Sequence, residues 1–166
     1  DSPQCNAFYM DDGDSGDTVA GNIVWHAHYG PFIGGGHDNI VTGNLVIDCA
    51  RGLHLDDRGR KRGYNTKNKH LMGLLSKVSY GTPPWSERYP EMKDLLKHPE
   101  LPTGNRITGN VLIGCGTPLH VGNNRKYSTI KDNPVLSRRD AGLSAKGNPI
   151  LALRGKDIVL PKVPGF

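Results

Sequence analysis

The feature that most constrains the fold is a short motif that recurs along the chain at a nearly constant spacing. Four segments align on one asparagine each, and these residues are Asn22, Asn44, Asn110 and Asn133. The steps between them are 22, 66 and 23 residues. A period in the low twenties is typical of two solenoids, the leucine-rich repeat and the parallel β-helix. The motif therefore predicts a stack of similar coils.

Composition distinguishes between these two solenoids. Leucine-rich repeats need several leucines in each unit, whereas these units carry Ile, Val, Gly and Asn in short β-rich runs. The chain has 22 glycines and 12 prolines, and 36% of its residues are hydrophobic, so long helices cannot dominate it. We therefore predict an all-β parallel β-helix of about four coils, stacked about 4.8 Å apart. The repeated asparagines are expected to be structural, because Asn tolerates left-handed turns and can form a hydrogen-bonded ladder.

One stretch of the chain, residues 58–102, lacks the repeat and is richer in Lys, Glu and Leu. If this stretch is omitted, the 66-residue spacing between Asn44 and Asn110 becomes about one repeat. We therefore interpret it as an insertion between adjacent coils. Apolar residues at helical spacing predict a helix over about 67–78, and Pro90 suits the start of a second helix reaching residue 97. Residues 137–166, where the repeat fades, are predicted to wrap the end of the solenoid.

The segments on either side of this insertion match over twelve residues, Asn44–Leu55 and Asn110–Val121. The match predicts two stacked pairs of side chains in adjacent coils, Cys49 with Cys115 and His54 with His120. We expect the cysteines to be buried free thiols, although their separation would also permit a disulfide.

Extending the alignment by one strand brings acidic residues into register. The segments Phe8–Asp12, Pro31–Gly35 and Leu53–Asp57 align, so two acidic pairs flank a coil that has glycines at the same positions. Asp11 and Asp56 would then lie about 9–10 Å apart, near the carboxyl separation of about 6.5–9.5 Å in inverting glycosidases. His37 and Asp38 follow the glycines and could supply an oriented acid or base. The predicted catalytic residues are Asp11, Asp12, His37, Asp38, Asp56 and Asp57.

Other side chains suggest how a ligand or an ion could bind. Four aspartates crowd one loop, namely Asp11, Asp12, Asp14 and Asp17, and such a group of carboxylates would suit a calcium ion. The alternative for Asp14 and Asp17 is that they simply form turns. Calcium together with Arg58 or Lys61 would suit a lyase, in which a cation neutralises a uronate. Trp85 either packs onto the coils or serves as a platform for a sugar. We therefore assign Arg58, Lys61 and Trp85 to substrate binding and no residue to a metal.

The charge of the chain restricts its partners. The formal net charge is +5, and much of the excess lies between residues 58 and 69, which could attract an anionic polymer. Nucleic acid is disfavoured as a partner because Tyr64 is the only aromatic residue among these cations on which a base could stack. No run of eighteen apolar residues predicts a membrane span, and three cysteines without a CxxC spacing argue against a zinc knuckle.

Several stretches carry a resemblance to a known family, namely Asp11–Val19, Asn39–Cys49, and Pro84–Glu91 followed by Leu101–Asn105. From about residue 6 to residue 136, the chain resembles the C-terminal region of right-handed parallel β-helix repeat proteins of the pectin-lyase-like superfamily. The resemblance implies a right-handed solenoid. Because members are usually longer than this chain, we expect a fragment that lacks N-terminal coils or a solenoid that associates with another copy.

The function implied by the resemblance is less specific than the fold, because the superfamily includes polysaccharide lyases, glycoside hydrolases and noncatalytic proteins. We expect a carbohydrate-active protein that processes a polysaccharide through the acidic groove. The alternative is a noncatalytic β-helix that binds glycan or has a structural or adhesive role. An extracellular or periplasmic location is expected, although the chain shows no signal peptide. Apart from calcium, no cofactor is indicated.

Overall fold

The structure is a computed structural model that describes residues 4–64, 67–90 and 97–144. Its strands form three parallel sheets of four strands each, which confirms the predicted all-β parallel solenoid. The first sheet contains, in spatial order, β1 (Asn6–Met10), β4 (Tyr29–Gly34), β7 (Arg51–Asp56) and β10 (Thr117–His120). The second contains β11 (Thr129–Lys131), β8 (Arg106–Thr108), β5 (Ile40–Thr42) and β2 (Thr18–Ala20). The third contains β12 (Val135–Leu136), β9 (Val111–Ile113), β6 (Leu45–Ile47) and β3 (Ile23–Trp25).

The register of the first sheet matches the alignment made from the sequence. Ile33 pairs with Met10 on one side and with Leu55 on the other. All three side chains are buried in the core, which also contains Val41 and Ile107 from the second sheet. Because side chains alternate along a strand, the residues next to these three lie on the outer face of the sheet.

The predicted asparagine ladder is present. Each Nδ2 donates to the Oδ1 of the asparagine in the next coil: Asn22 to Asn44 at 3.0 Å, Asn44 to Asn110 at 2.8 Å, and Asn110 to Asn133 at 2.8 Å. The left-handed residue of each turn is the one before the asparagine, not the asparagine itself; these residues are Gly21, Gly43, Gly109 and Asp132. Glycine adopts this backbone conformation without a steric penalty, which explains the recurrent Gly-Asn pair.

A second ladder, which the sequence did not predict, lies at the start of the second sheet. The backbone N–H of Asp17 donates to Oδ1 of Asn39 at 2.9 Å, and the N–H of Asn39 donates to Oδ1 of Asn105 at 3.0 Å. Both asparagines are completely buried. Each buried side-chain oxygen thus accepts a hydrogen bond from the backbone of the adjacent coil, which satisfies a polar group in the interior.

Between β7 and β8 the described residues form three short helices, α1 (Arg58–Lys61), α2 (Lys69–Leu75) and α3 (Trp85–Arg88). Helix α2 confirms the helix predicted over 67–78 but is shorter, and the Asn68 side chain caps its N-terminus by accepting from the N–H of Leu71. Most of the second predicted helix, at residues 91–96, lies outside the described residues. No helix in the described ranges is long and apolar enough to cross a membrane.

The chain after β12 packs on the outer face of the third sheet. Leu143 is buried against Leu45, Ile47 and Ile113, and Arg138 forms an ion pair with Asp48. A 3-10 helix, Gly122–Tyr127, connects β10 to β11. Residues 145–166 of the predicted wrapping segment lie outside the described residues.

Candidate functional site

The outer face of the first sheet carries a continuous row of flat side chains, which we call the aromatic row: Tyr9, Phe32, His54 and His120. They occupy equivalent positions on β1, β4, β7 and β10. Neighbouring ring centroids are 4.7, 4.0 and 4.7 Å apart, close to the strand spacing. The row confirms the predicted stacking of His54 on His120. Sequence reasoning missed Tyr9 and Phe32, although they precede the aligned core residues Met10 and Ile33.

The two ends of the aromatic row are accessible and its middle is not. Tyr9 is 46% exposed and His120 is also exposed, whereas Phe32 and His54 are buried. Tyr29 packs edge-on against both buried rings, with centroids 4.9 Å from Phe32 and 5.1 Å from His54. The row therefore ends in an exposed ring on each side, and the Arg58 guanidinium carbon lies 5.5 Å from the centroid of the Tyr9 ring.

Arg58 lies over the middle of this face and brings together carboxylates from two strand ends. Its Nη1 donates to Asp11 at 2.8 Å and to Asp12 at 3.0 Å, and its Nη2 donates to Asp56 at 3.0 Å. The guanidinium also lies 4.9 Å from the Phe32 ring centroid. We call Arg58 and these three aspartates the Arg58 network. It unites three of the predicted catalytic residues with one predicted substrate-binding residue.

The Arg58 side chain lies above Gly34 and Gly35, the glycines between the acidic pairs. A Cβ atom on Gly34 would come within 3.0 Å of the Arg58 guanidinium carbon, and one on Gly35 within 2.8 Å of its Cγ. Larger residues at these positions would push Arg58 away from the carboxylates. The coil between the acidic pairs therefore has glycines at these positions because the Arg58 side chain occupies the space above them.

The network keeps Asp12 and Asp56 ionised. Burial raises the pKa of Asp56, but hydrogen bonds from His54 and Arg58 outweigh this effect and hold the pKa well below its ordinary value. For Asp12, burial also raises the pKa, but hydrogen bonds from Arg58 and Tyr64 and the charge of Arg62 together outweigh it, so the pKa is lowered. Arg62 forms an ion pair with Asp12. At neutral pH Asp56 suits a base or an electrostatic stabiliser rather than a proton donor.

The other predicted catalytic residues do not join this network. Asp57 pairs with Lys61 at 3.6 Å and lies 4.0 Å from Arg60, and both of these basic residues are exposed on helix α1. His37 Nδ1 lies 2.7 Å from Asp38 Oδ2, so the imidazole is oriented by a carboxylate. Within the described ranges, no hydrogen bond links this pair to Arg58.

The remaining predicted substrate-binding residues lie outside the coils of the solenoid. The Lys61 side chain is exposed and its described ion pair is with Asp57. Trp85 is 42% exposed and its ring lies 6.0 Å from that of Tyr89, which differs from the predicted packing onto the coils. A role for Trp85 as a sugar platform stays a prediction.

The two histidines of the row form a chain of hydrogen bonds with Asp56. His54 Nε2 lies 3.3 Å from Asp56 Oδ2, and His54 Nδ1 lies 2.7 Å from His120 Nδ1. Burial, the neighbouring His54 and the charge of Arg51 lower the pKa of His120, while Asp56 acts in the opposite direction. His120 is consequently neutral at physiological pH and can accept a proton or a hydrogen bond.

The three cysteines are free, as predicted for Cys49 and Cys115. Hydrogen bonds from Gly116 N to Cys49 O and from Asp48 N to Ile113 O align the chain around the two thiols. The neighbouring Cys115 thiol lowers the pKa of Cys49, whereas the Cys49 thiol and burial raise the pKa of Cys115. In the part of the chain that is described, no three His, Cys, Asp or Glu side chains are grouped to hold a metal ion. Calcium binding stays a prediction.

The geometry thus assembles ionised carboxylates, an exposed tyrosine and a histidine pair on one face of a parallel solenoid. Comparison with known proteins found no matching family model, no matching curated protein and no matching solved structure.

Proposed function

We propose that this chain is a carbohydrate-active β-helix protein that binds a polysaccharide along the outer face of the first sheet and hydrolyses it. The observation that carries the proposal is the convergence of Asp11, Asp12 and Asp56 beside Tyr9. Tyr9 presents a planar apolar surface next to its hydroxyl, which suits the apolar face of a sugar ring. Carboxylates next to such a surface are the groups that glycoside hydrolysis requires.

Within this proposal the carboxylates have different roles. Asp56, held ionised by His54 and Arg58, activates water or stabilises the positive charge that develops on the sugar. Asp11, whose side chain is 56% exposed, is the proton donor to the leaving oxygen once the ligand displaces Arg58 from it. Catalytic hydrogen bonds are often arranged differently before substrate binds, so the ion pair does not argue against this role.

The second candidate is a noncatalytic glycan-binding protein. The Arg58 network favours it, because one guanidinium fills the gap between the carboxylates and lowers the pKa of two of them. In this candidate the network is structural and the exposed end of the aromatic row binds the ligand. A lyase that uses the same carboxylates and a bound cation belongs to the first candidate and differs in its product.

The finer features of the fold belong to the same proposal. We take the solenoid to be right-handed, to have about four coils, and to be related to the pectin-lyase-like superfamily. Support comes from the general preference of parallel β-crossovers for right-handed connections and from repeats of about 22 residues. An extracellular or periplasmic location would bring the protein to its polysaccharide.

Glycan binding is tested with Tyr9→Ala over a panel of neutral and acidic polysaccharides, by affinity electrophoresis and calorimetry. We expect affinity to fall about tenfold, because one aromatic contact is worth about 0.5–1.5 kcal/mol. Val135→Ala, which removes an exposed apolar side chain from the third sheet, is the control. Unchanged binding by Tyr9→Ala, or an equal loss in both variants, would contradict the proposed face.

Hydrolysis is tested separately by reducing-end release and by the absorbance of unsaturated products on the same panel. Asp11→Asn and Asp56→Asn should each lower the rate by at least about a hundredfold, as expected when an acid or base is removed. Asp57→Asn, which changes a carboxylate outside the Arg58 network, should retain the rate. A protein that binds a polysaccharide but releases no product would support the noncatalytic candidate instead.

A further inference from the structure

The columns of core side chains end in exposed residues at the last coil of the solenoid. Val135 of β12 pairs with Leu112 of β9, yet Leu112 is completely buried and Val135 is 52% exposed. Ile130 of β11 is half-buried, although its partner in β8, Ile107, is completely buried. Among the residues that the structure describes, nothing therefore covers the apolar interior fully at this end.

The first coil, at the opposite end of the solenoid, borders a cavity. Its volume is about 340 Å³, and its lining includes Phe8, Val24 and Ala27. Val24 belongs to the same core column as Val135, because β3, β6, β9 and β12 stack in register. A copy of the chain placed one strand spacing before the first coil would thus direct its Val135 towards this cavity.

The edges of all three sheets lie in these two coils. Strands β1, β2 and β3 form one set of edges, and β10, β11 and β12 form the other. Every pairing between the described strands is parallel. A strand edge has N–H and C=O groups that can pair with another strand. A second copy in the same orientation would continue all three sheets with the pairing that they already have.

The asparagine ladder gives this stacking a direction. In each coil the asparagine donates its backbone N–H and its Nδ2 to Oδ1 of the asparagine in the following coil. Within the described ranges, Oδ1 of Asn22, the first in the ladder, accepts no hydrogen bond. Asn133, the last, has no following asparagine to which it can donate. Asn133 of one copy would therefore extend the ladder by donating to Asn22 of the next.

The charges of the two ends are complementary. The turn after β1, residues 11–17, carries four aspartates, whereas the 3-10 helix in the equivalent turn of the last coil carries Arg125 and Lys126. Among the described residues, Asp14 and Asp17 form no ion pair. Partial desolvation and the negative charge of Asp14 raise the pKa of Asp17. A cation from another copy would offset this repulsion.

We propose that this chain assembles head to tail, with the last coil of one copy stacking on the first coil of the next. A second copy is the occupant of each end, because the strand edges, the ladder and the charges of one end match those of the other. The contact joins two different surfaces, so it does not close at two chains and extends to longer assemblies. This inference is independent of glycan binding.

The test measures the mass of the full chain by sedimentation velocity and light scattering over a concentration series. The mass should rise beyond two chains as the concentration increases. Asp14→Lys combined with Asp17→Lys should weaken association at least about tenfold at low salt, because like charges then face each other. Arg125→Glu combined with Lys126→Glu should have the same effect. An equal mixture of the two variants should assemble again, since each altered end then meets a complementary one.

The apolar part of the contact is tested with Val135→Asp, which should also weaken association at least about tenfold because it places a charge between the coils. Leu74→Asp, which changes an exposed leucine of α2 outside the coils, is the matched control and should leave the mass unchanged. The unfolding midpoint of each variant in urea confirms that it is folded.

Three outcomes would overturn the proposal. The first is an unmodified chain that stays a monomer at every concentration, which would mean that another segment covers these ends. The second is a mass that stops at two chains, as expected for a closed dimer. The third is an equal loss of mass in Val135→Asp and Leu74→Asp, which would indicate non-specific apolar association.

Discussion

Asn44 Nδ2 donates to Oδ1 of Asn110 at 2.8 Å although 66 residues separate the two in the chain. The backbone N–H of Asn44 donates to the same oxygen at 3.0 Å, and both residues are completely buried. This pair joins the coil before helices α1 to α3 to the coil after them. One side-chain oxygen therefore satisfies two buried donors across the longest interruption of the repeat.

We expect Asn110→Ala to be among the more damaging polar substitutions. It would leave the buried backbone N–H of Asn44 without its acceptor, whereas Asn44 Nδ2 would keep the carbonyl oxygens of Val19 and Thr42. We expect a cost of at least about 2 kcal/mol in the free energy of unfolding. Urea denaturation followed by circular dichroism measures the change. Asn123→Ala, an exposed residue of the 3-10 helix, should change stability by less than about 0.5 kcal/mol. Similar midpoints for the two variants would show that the ladder contributes little.

The close approach of adjacent coils predicts the effect of a methyl group at Gly30. A Cβ there would lie 2.1 Å from the carbonyl oxygen of Gly52, which belongs to the backbone of the next strand. We expect Gly30→Ala to destabilise the protein by about 3 kcal/mol or to prevent folding.

Gly73→Ala is the matched control for that change. Gly73 lies in α2 with no atom within 4 Å of the added Cβ, so alanine should stabilise the helix by up to about 1 kcal/mol. Both variants are compared by thermal unfolding. A tolerated Gly30→Ala would mean that β4 and β7 can move apart.

Asp56 should make stability depend on pH below about pH 4. Its pKa in the folded protein lies well below that of an unfolded aspartate, because His54 and Arg58 favour the carboxylate. Its contribution is complete above the unfolded pKa and is lost as pH falls towards the folded pKa. Asp56→Asn should therefore cost about 2 kcal/mol at pH 7 and progressively less in acid.

The measurement for Asp56 is urea unfolding of both proteins between pH 7 and pH 2. Asp57→Asn, which removes a carboxylate paired with the exposed Lys61, should have an effect below about 1 kcal/mol throughout. A constant difference between Asp56→Asn and the unmodified protein across this range would contradict the ion-pair explanation.

The three free thiols should react at very different rates. Cys5 is exposed and Cys49 is buried, and the neighbouring Cys49 thiol together with burial raises the pKa of Cys115. An alkylating reagent at pH 8 should therefore modify Cys5 first, because burial shields Cys49 despite its lowered pKa and the raised pKa of Cys115 disfavours its reactive thiolate. Cys5→Ser should remove the fast phase seen by mass spectrometry. Rapid modification of Cys49 in the native protein would show that the coils open at that position.

Much of the fold could be predicted from the sequence, because each coil repeats both the spacing and the chemistry of the one before. The pairing of Met10, Ile33 and Leu55 follows directly from residue numbers once the period is known. The second ladder, through Asn39 and Asn105, was equally visible in the aligned segments but was not recognised. The turn residue was misassigned because glycine and asparagine are adjacent in the motif and either can adopt a left-handed conformation.

The sequence by itself determined that this chain stacks its coils in parallel and which side chains share a column, because a repeat of constant length places equivalent residues one strand apart. Only the tertiary structure decided that Arg58 folds back over Gly34 and Gly35 to join Asp11, Asp12 and Asp56. The repeat does not determine where the Arg58 side chain lies. A long, flexible side chain next to the repeat goes where charges from several segments converge, and that location exists only after those segments have packed together.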